Sequence, residues 1–597
     1  MLNPLLAAPV LPATVSTPVS TRFLVALGLF CLLIGSGFLL LIFGFTSYQQ
    51  VQALSEVTYH EGGYKHLALA VTPTTYQLLR AGLAVVAGLS GSLLLILRRF
   101  QNAALKEDVH QLRGEIQRAI IALSRVAHGL SGLERGVFVG MLTLILTVRV
   151  WYLVAYVLNT DEVASYDYFV RQGPLGISSF YPIPNNHLLF NFVCWPLSLL
   201  SNNVRVVMRI PTFAAAAVGT ILGYLLLVRS GGFWAATMAT GLFGLSPLGL
   251  YYSVAGRGYF LQITLLLFAF AATVALLQLP TYRRLAWLLF VVASILGFYT
   301  IPTFVYPFVS LGLGLLLGLA WQRRWSELGQ LVLAGSIVGA VSTLLYSPVM
   351  CVSGFTQLVG NHYVAKMDAT VFWRDYNKYL RYLADMLAGN TYLGLAVGGG
   401  LMLAGPLLVL LLPRRAKILG ALTWLLLVVP MAMMAVQQVL VPPRVLLYLS
   451  YLGCVLGSLV TFSLLTRLRA TTLYQALLSL LVVLAYGTYQ FQRQLAPHQV
   501  EVREEEQMEA AYAWLTGWGG QKILLAAPSY ELFFHHYALQ ENRPLLLHST
   551  QVASQSYDYV VHERRNSDPL PAWAKPPLYT AVYENESVII YGREMRQ

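Results

Sequence analysis

The stretch Val157-Leu-Asn-Thr-Asp-Glu-Val-Ala-Ser-Tyr-Asp-Tyr-Phe169 decides how the chain is read. It begins where an apolar run long enough to span a bilayer ends. It then presents two adjacent acids, Asp161 and Glu162, at the point where that helix leaves the lipid. Charge at a membrane boundary is costly unless it is paired or solvated. A plain solvated helix end is one reading of the pair, and a functional site is the other.

Outward from this stretch the chain is apolar. Of 597 residues, 57% are hydrophobic and 11% charged, where a soluble protein carries about 25% charged residues. Long uncharged runs recur, which makes this a polytopic α-helical membrane protein. Cys31, Cys194, Cys351 and Cys454 are widely spaced in or beside apolar runs and read as packing residues, not as a disulfide framework or metal set. The net charge of +13 requires no nucleic acid, because arginines between spans are what the positive-inside rule expects. Residues 1–21 carry no charged side chain and Arg22 precedes an apolar run, the pattern of a signal anchor that is not removed.

Thirteen spans are expected, near 22–46, 76–97, 136–158, 205–228, 232–252, 259–279, 284–300, 303–321, 328–348, 393–412, 417–437, 443–466 and 471–490. Residues 187–201, interrupted by Asn191 and Pro196, read as interfacial or re-entrant. Arg98-Arg99, Arg229, Arg283-Arg284, Arg323-Arg324, Arg414-Arg415-Lys417 and Arg467-Arg469 fall in alternate connections. These are then cytoplasmic, and the 159–204 and 352–392 loops and the C-terminal tail are extracytoplasmic. The division is 1–98, two N-terminal helices; 99–134, a cytoplasmic amphipathic helix; 135–491, the main transmembrane domain; and 492–597, an extracytoplasmic domain.

Within 99–127, Leu105, Val109, Leu112, Ile116, Ala119, Leu123 and Val126 recur at spacings of four and three, with Lys106, Arg113, Arg118 and Arg125 between them. A helix lying on the anionic inner leaflet is favoured; a dimerising or partner-binding helix is the alternative. The tail has nine Lys/Arg and thirteen Asp/Glu, net −4 against +17 for the remainder. An acidic helix over 500–515 and β-like runs at Lys522–Ala526, Pro544–His548, Tyr557–His562 and Tyr579–Tyr583, the last paired with Val588–Tyr591 across Glu584-Asn585-Glu586-Ser587, predict a small α/β domain. His535-His536, placed on a strand, would point apart and make a poor metal pair.

Four polar groups fall on the extracytoplasmic side of this threading. They are Asp161-Glu162 with Tyr166 and Tyr168; Asn185-Asn186-His187; Tyr251-Tyr252-Ser253 with Arg257-Gly258-Tyr259; and Pro442-Pro443-Arg444. Isolated arginines at the outer ends of apolar helices run against the usual bias. An anionic lipid phosphate would account for them, held bidentately by guanidinium. In that reading Arg257 and Arg444, with Tyr259, hold a phosphate, and Asp161 takes or orients an acceptor proton. Glu162 and His187 assist as hydrogen-bond partners or metal ligands, and Asn186, Tyr166 and Tyr252 line the site. The plain readings are arginines that snorkel to headgroups and a histidine that caps a helix. His362, Lys366, Arg374, Lys378 and Arg381 give the 352–392 loop a basic surplus that fits either an anionic substrate or an amphipathic helix.

At these residues the chain resembles the GT-C superfamily of polyprenyl-phosphate-sugar-dependent glycosyltransferases, nearest to the protein O-mannosyltransferases and aminoarabinose transferases. The resemblance covers about 136–466. It rests on Thr160-Asp161-Glu162, Asn185-Asn186-His187-Leu188-Leu189, Arg209-Ile210-Pro211, Ser246-Pro247 through Tyr251-Tyr252-Ser253 to Arg257-Gly258-Tyr259, and Pro442-Pro443-Arg444-Val445, in that order. It departs from the family at Ala255-Gly256, where an acid or large polar residue is common, and at Val445, where a tyrosine is usual.

The resemblance implies a GT-C-like core of about 11 helices plus two extra N-terminal ones. It also implies an inverting transferase in the plasma membrane (the inner membrane of a bacterium), with its active site outside. The donor would be a polyprenyl-phosphate sugar, the acceptor a glycan, lipid or protein. Asp161 would act as base and the arginines on donor phosphate; some relatives use a divalent metal and others do not, and Asp161, Glu162 and His187 are the residues that could hold one here. A transporter or flippase of a lipid-linked sugar and a non-catalytic scaffold remain alternatives. So does a ligase or polymerase using a pyrophosphate-linked donor. A flippase would need ionisable residues in mid-span, and Arg149 is the main candidate.

Overall fold

The computed structural model describes residues 21–57, 68–182, 184–360, 365–517, 522–525, 528–543, 546–548, 556–564, 574 and 578–593. The stretch ahead of the first helix, His362 and the start of the run at 544–548 lie outside the described residues. Among the described residues, twelve helices are long and apolar enough to cross a bilayer. The protein is a polytopic helical membrane protein with a small sheet domain at its C-terminal end.

One of the thirteen expected spans, 232–252, is not a full-length helix. The chain forms Phe233–Gly244, of 12 residues, which reach ~18 Å at 1.5 Å per residue against a hydrocarbon core of about 30 Å. Ser246-Pro247 stops it, with the Ser246 hydroxyl accepting from the Gly249 N–H at 3.0 Å to start the short turn Pro247–Tyr251. The helix is buried on nearly every side. Its glycines let neighbours in: a Cβ on Gly241 or Gly244 would collide with Val483 or Ile145. A helix enclosed by protein has no need of the length that lipid exposure imposes.

Two expected boundaries are continuous helix. Pro73–His128 carries the second span and the amphipathic arm in one 56-residue helix, broken by non-helical dihedrals at Gln101 (φ −131°, ψ 29°). Thr472–Gly517 joins the last span to the acidic helix in one 46-residue rod, with Pro497 inside it. The acids Asp108 and Glu115 on the arm turn into the bundle. Asp108 accepts from Arg284 at 2.9 Å and Arg22 at 3.4 Å, and Glu115 accepts from the Leu285 N–H at 2.8 Å.

Beyond the rod, strands β1 (Lys522–Leu525), β2 (Leu546–His548), β3 (Tyr559–Glu563), β4 (Tyr579–Glu584) and β5 (Val588–Arg593) form one sheet in the order β2-β1-β3-β5-β4. β1 is parallel to β2 and β3; β5 is antiparallel to β3 and β4. The expected hairpin of the last two strands is present. His535-His536 sit on the helix Pro528–Glu541, not on a strand.

This domain packs on the 157–169 stretch. Val163 is fully buried among Ala511, Leu515 and Phe534. The Glu505 carboxylate accepts from the Leu158 N–H and the Arg205 guanidinium, each at 2.7 Å. At that end of the bundle Thr160–Ser165 forms a short helix capped by Asn159, whose side chain accepts from the Asp161 N–H at 2.7 Å.

Candidate functional site

Successive residues of the Asn159–Asp167 segment reach different parts of the molecule. Asn159 donates to the Tyr251 hydroxyl. Asp161 faces Arg444, with carboxylate and guanidinium 3.5 Å apart. Glu162 turns inward to Arg209, Ser165 accepts from Arg257, and Asp167 meets His536. Adjacent side chains on a helix diverge by about 100°, so Asp161 and Glu162 cannot share one cavity.

Glu162 is 1% exposed and forms a two-pronged pair with Arg209, Nε to Oε1 at 2.8 Å and Nη2 to Oε2 at 3.0 Å. The remaining Arg209 hydrogens go to the Leu153, Tyr156 and Val157 carbonyls, where the third span's helix runs out. The Gly256 N–H also donates to Glu162 at 3.2 Å. A Cβ on Gly256 would lie 2.4 Å from Met208 and 2.7 Å from the Glu162 carboxylate. Glycine at position 256 is therefore required by the close approach of Met208 and the Glu162 carboxylate.

Arg257 is 4% exposed. One terminal nitrogen donates to the Asp161 carbonyl (3.2 Å), the Asn185 carbonyl (3.0 Å) and the Ser165 hydroxyl; the other lies 3.0 Å from His187 Nε2. It ties the Thr160–Ser165 helix and the 185–187 segment to the 254–258 turn with donors a phosphate would need. His187 Nδ1 faces the Gly258 N–H at 3.0 Å. A neutral imidazole has one acceptor nitrogen, so in either tautomer His187 accepts from only one of these two donors, the Gly258 N–H or the Arg257 guanidinium. Burial, and then Arg257 and Arg444 nearby, push the His187 pKa well below its ordinary value.

Asn186 is equally committed. It donates to the Ile177 and Phe180 carbonyls at 2.9 Å and accepts from Asn191 at 2.8 Å. Tyr259, Tyr252 and Tyr251 form a chain of edge-to-face rings continued by His187 at one end and Tyr156 at the other. Burial raises the pKa of Tyr251 and Tyr252, so these phenols stay protonated. Tyr166 is buried, edge-on to the His536 ring.

Asp161 and Arg444 differ from all of these. Their side chains are 28% and 39% exposed, and Arg444 also engages Tyr259. The expected site residues are thus brought to one end of the bundle, but Asp161 and Arg444 present charge to solvent while Glu162, Arg257, His187 and Asn186 face inward.

The metal triad does not assemble. Glu162 is consumed by Arg209 and Gly256, and His187 by Gly258 or Arg257. No group of three His, Cys, Asp or Glu side chains among the described residues is placed to hold a metal ion.

Three partners do not stand out in the sequence: Arg209 reads only as a motif residue, and Ser165 and Glu505 carry no motif. An arginine five residues into an apolar helix was the available signal for Arg209. Nothing local marks Ser165, because its partner lies 92 residues away.

Three further polar features stand apart from this cluster. Arg149 is fully buried, donating to Thr220 at 2.7 Å and to the Ala216 carbonyl at 3.3 Å, with its guanidinium 5.1 Å from the Phe260 ring. It joins the helix Gly132–Ala155 to Val204–Gly231. His536 donates from Nδ1 to Asp167 at 2.9 Å, and burial lowers His535 to about 4. In the 352–392 region, Arg374 and Lys378 point outward from the Ala369–Ala388 helix and pair with Asp375, while Phe372, Tyr379 and Leu383 face in.

No protein-family model matches the chain, and no curated protein matches it.

Proposed function

We propose that this chain is an integral membrane glycosyltransferase. It transfers a sugar from a polyprenyl-phosphate donor to a glycan, lipid or protein acceptor at the extracytoplasmic face. The observation that carries the reading is the half-exposed pair of Asp161 and Arg444, set opposite each other beside the fully buried Glu162–Arg209 pair. Functional groups need access, and these two combine access with opposite charge.

The chemistry follows from their types. The Asp161 carboxylate accepts the proton of the acceptor hydroxyl as its oxygen bonds to the anomeric carbon. The carbon–oxygen bond to the donor phosphate breaks, and the electron pair leaves with the phosphate. Arg444 stabilises that departing charge, supported by Tyr259. Attack opposite the leaving group inverts the anomeric centre. Arg257 and His187 act as positioning residues by fixing the short helix that carries Asp161 and the helix start at Tyr259. With Glu162 and His187 otherwise engaged, no step is routed through a metal.

Glycan and lipid analysis of a strain lacking the protein tests the function. One sugar modification should disappear, return with the wild-type gene, and stay absent with Asp161→Asn expressed at wild-type level. An unchanged set of glycans and lipids in the deletion strain rejects the glycosyltransferase. Restoration by Asp161→Asn rejects the base.

A further inference from the structure

The arm between the second and third spans has a placement that its periodicity alone does not define. It leaves the second span at Arg98-Arg99 and ends at Ser131, which caps the helix Gly132–Ala155. That helix runs toward Asp161, so both ends of the arm lie at the opposite, arginine-rich end of the bundle. Residues 102–128 as uninterrupted helix reach about 40 Å. A rod of that length with both ends at one level runs across the bundle axis, in the plane of the bilayer. The break at Gln101 is where the chain turns into that plane.

One edge of the arm is fixed to the bundle. Asp108 and Glu115 are 2% and 3% exposed, held by Arg22, Arg284 and the Leu285 N–H. The neighbouring face is apolar and open: Val109 is 63%, Ile116 37% and Ile120 62% exposed. These positions recur at seven and four residues and so share one side of the helix. Lys106 and Arg113 border that stripe on its outer side, and both are exposed, as are Arg118 and Arg125 farther round. Two of the arm's three acids are buried in the bundle, which leaves Glu107 as the exposed one.

We infer that the 102–128 arm is an interfacial helix that binds anionic phospholipid headgroups of the adjoining leaflet. Val109, Ile116 and Ile120 lie among the acyl chains, and Lys106 and Arg113 sit at phosphate level. The charge pattern favours lipid over a second copy of the chain. Two such faces packed together would bring Lys106 and Arg113 against their own copies, with Asp108 and Glu115 unable to answer them. This inference is independent of the proposed transferase activity.

The test uses the full chain, with its native cysteines replaced by serine or alanine, in bilayers of phosphatidylcholine with or without phosphatidylglycerol. A nitroxide is placed at Ile120→Cys or, on the outward side, at Gln117→Cys. In anionic bilayers the Ile120 label should be reached by oxygen and shielded from a water-soluble nickel chelate, and the Gln117 label the reverse. Adding Lys106→Glu and Arg113→Glu should raise nickel access at Ile120. Should that variant not fold, the contrast between the two labels decides alone. Nickel access at Ile120 in anionic bilayers overturns the inference. So does dipolar coupling between Ile120 labels, which would identify a second copy as the occupant.

Discussion

Glu162 and Arg209 form a fully buried, two-pronged ion pair at the mouth of the bundle, while Asp161, one residue earlier, faces the half-exposed Arg444. Neighbouring acids therefore have separate physical roles. One holds the third span's end to the helix carrying Arg209, and the other keeps a carboxylate available at the surface.

Breaking the buried pair should damage the fold. Glu162→Gln leaves Arg209 charged, buried and without its counter-ion, a loss of about 3–5 kcal/mol. Thermal unfolding of the detergent-solubilised protein should show a large drop. A melting temperature equal to wild type would mean that the pair contributes nothing to stability.

Asp161→Asn should behave in the opposite way. The side chain is part-exposed and its ion pair is long, so the melting temperature should change little, while transfer falls about 10²–10⁴-fold as expected for loss of a general base. Comparing melting temperature and turnover for the two variants side by side separates scaffold from chemistry.

Gly256→Ala should mimic the loss of the buried pair without altering any charge. Its Cβ would press on the Met208 side chain at 2.4 Å and the Glu162 carboxylate at 2.7 Å. Overpacking of this kind costs roughly 1–3 kcal/mol. A yield and melting temperature matching wild type would show that the 254–258 loop can yield.

The C-terminal domain should loosen in acid. Burial lowers His535 to about 4, so below the ordinary histidine value of about 6.5 the unfolded chain binds a proton that the folded one refuses. Stability from this residue is complete above about pH 6.5 and is lost progressively as pH falls toward 4. His548, on the domain's sheet and also pushed down by burial, adds loss of the same sign. Proteolysis of the domain at pH 7.5 and pH 5 should show faster cleavage at the lower pH in wild type, with a smaller difference in His535→Gln. An equal pH response in the two proteins would remove His535 as its source.

Arg444→Ala should weaken donor binding with little change in melting temperature, because the side chain is half-exposed and its carboxylate partner is solvated. Arg257→Ala should lower the melting temperature, since it strands the Asp161 and Asn185 carbonyls. If Arg257→Ala keeps full stability yet loses donor affinity, the arginine contacts phosphate directly.

The membrane class, most of the spans, the amphipathic arm and the final β-hairpin were legible in the sequence. They depend on local apolar runs and periodicities, and each is written within some twenty neighbouring residues. The polar clusters near Asp161, His187, Arg257 and Arg444 were legible as candidates for the same reason: polar side chains at the ends of apolar helices stand out. What tertiary structure alone decided is where those side chains point. The Glu162–Arg209 pair, the Arg257 knot and the burial of Asp108 and Glu115 join residues 47 to 176 positions apart. The 12-residue helix at Phe233–Gly244 likewise reads as a span until its neighbours enclose it. Exposure distinguishes a structural carboxylate from an available one, and exposure is set by packing across the bundle rather than by sequence neighbours.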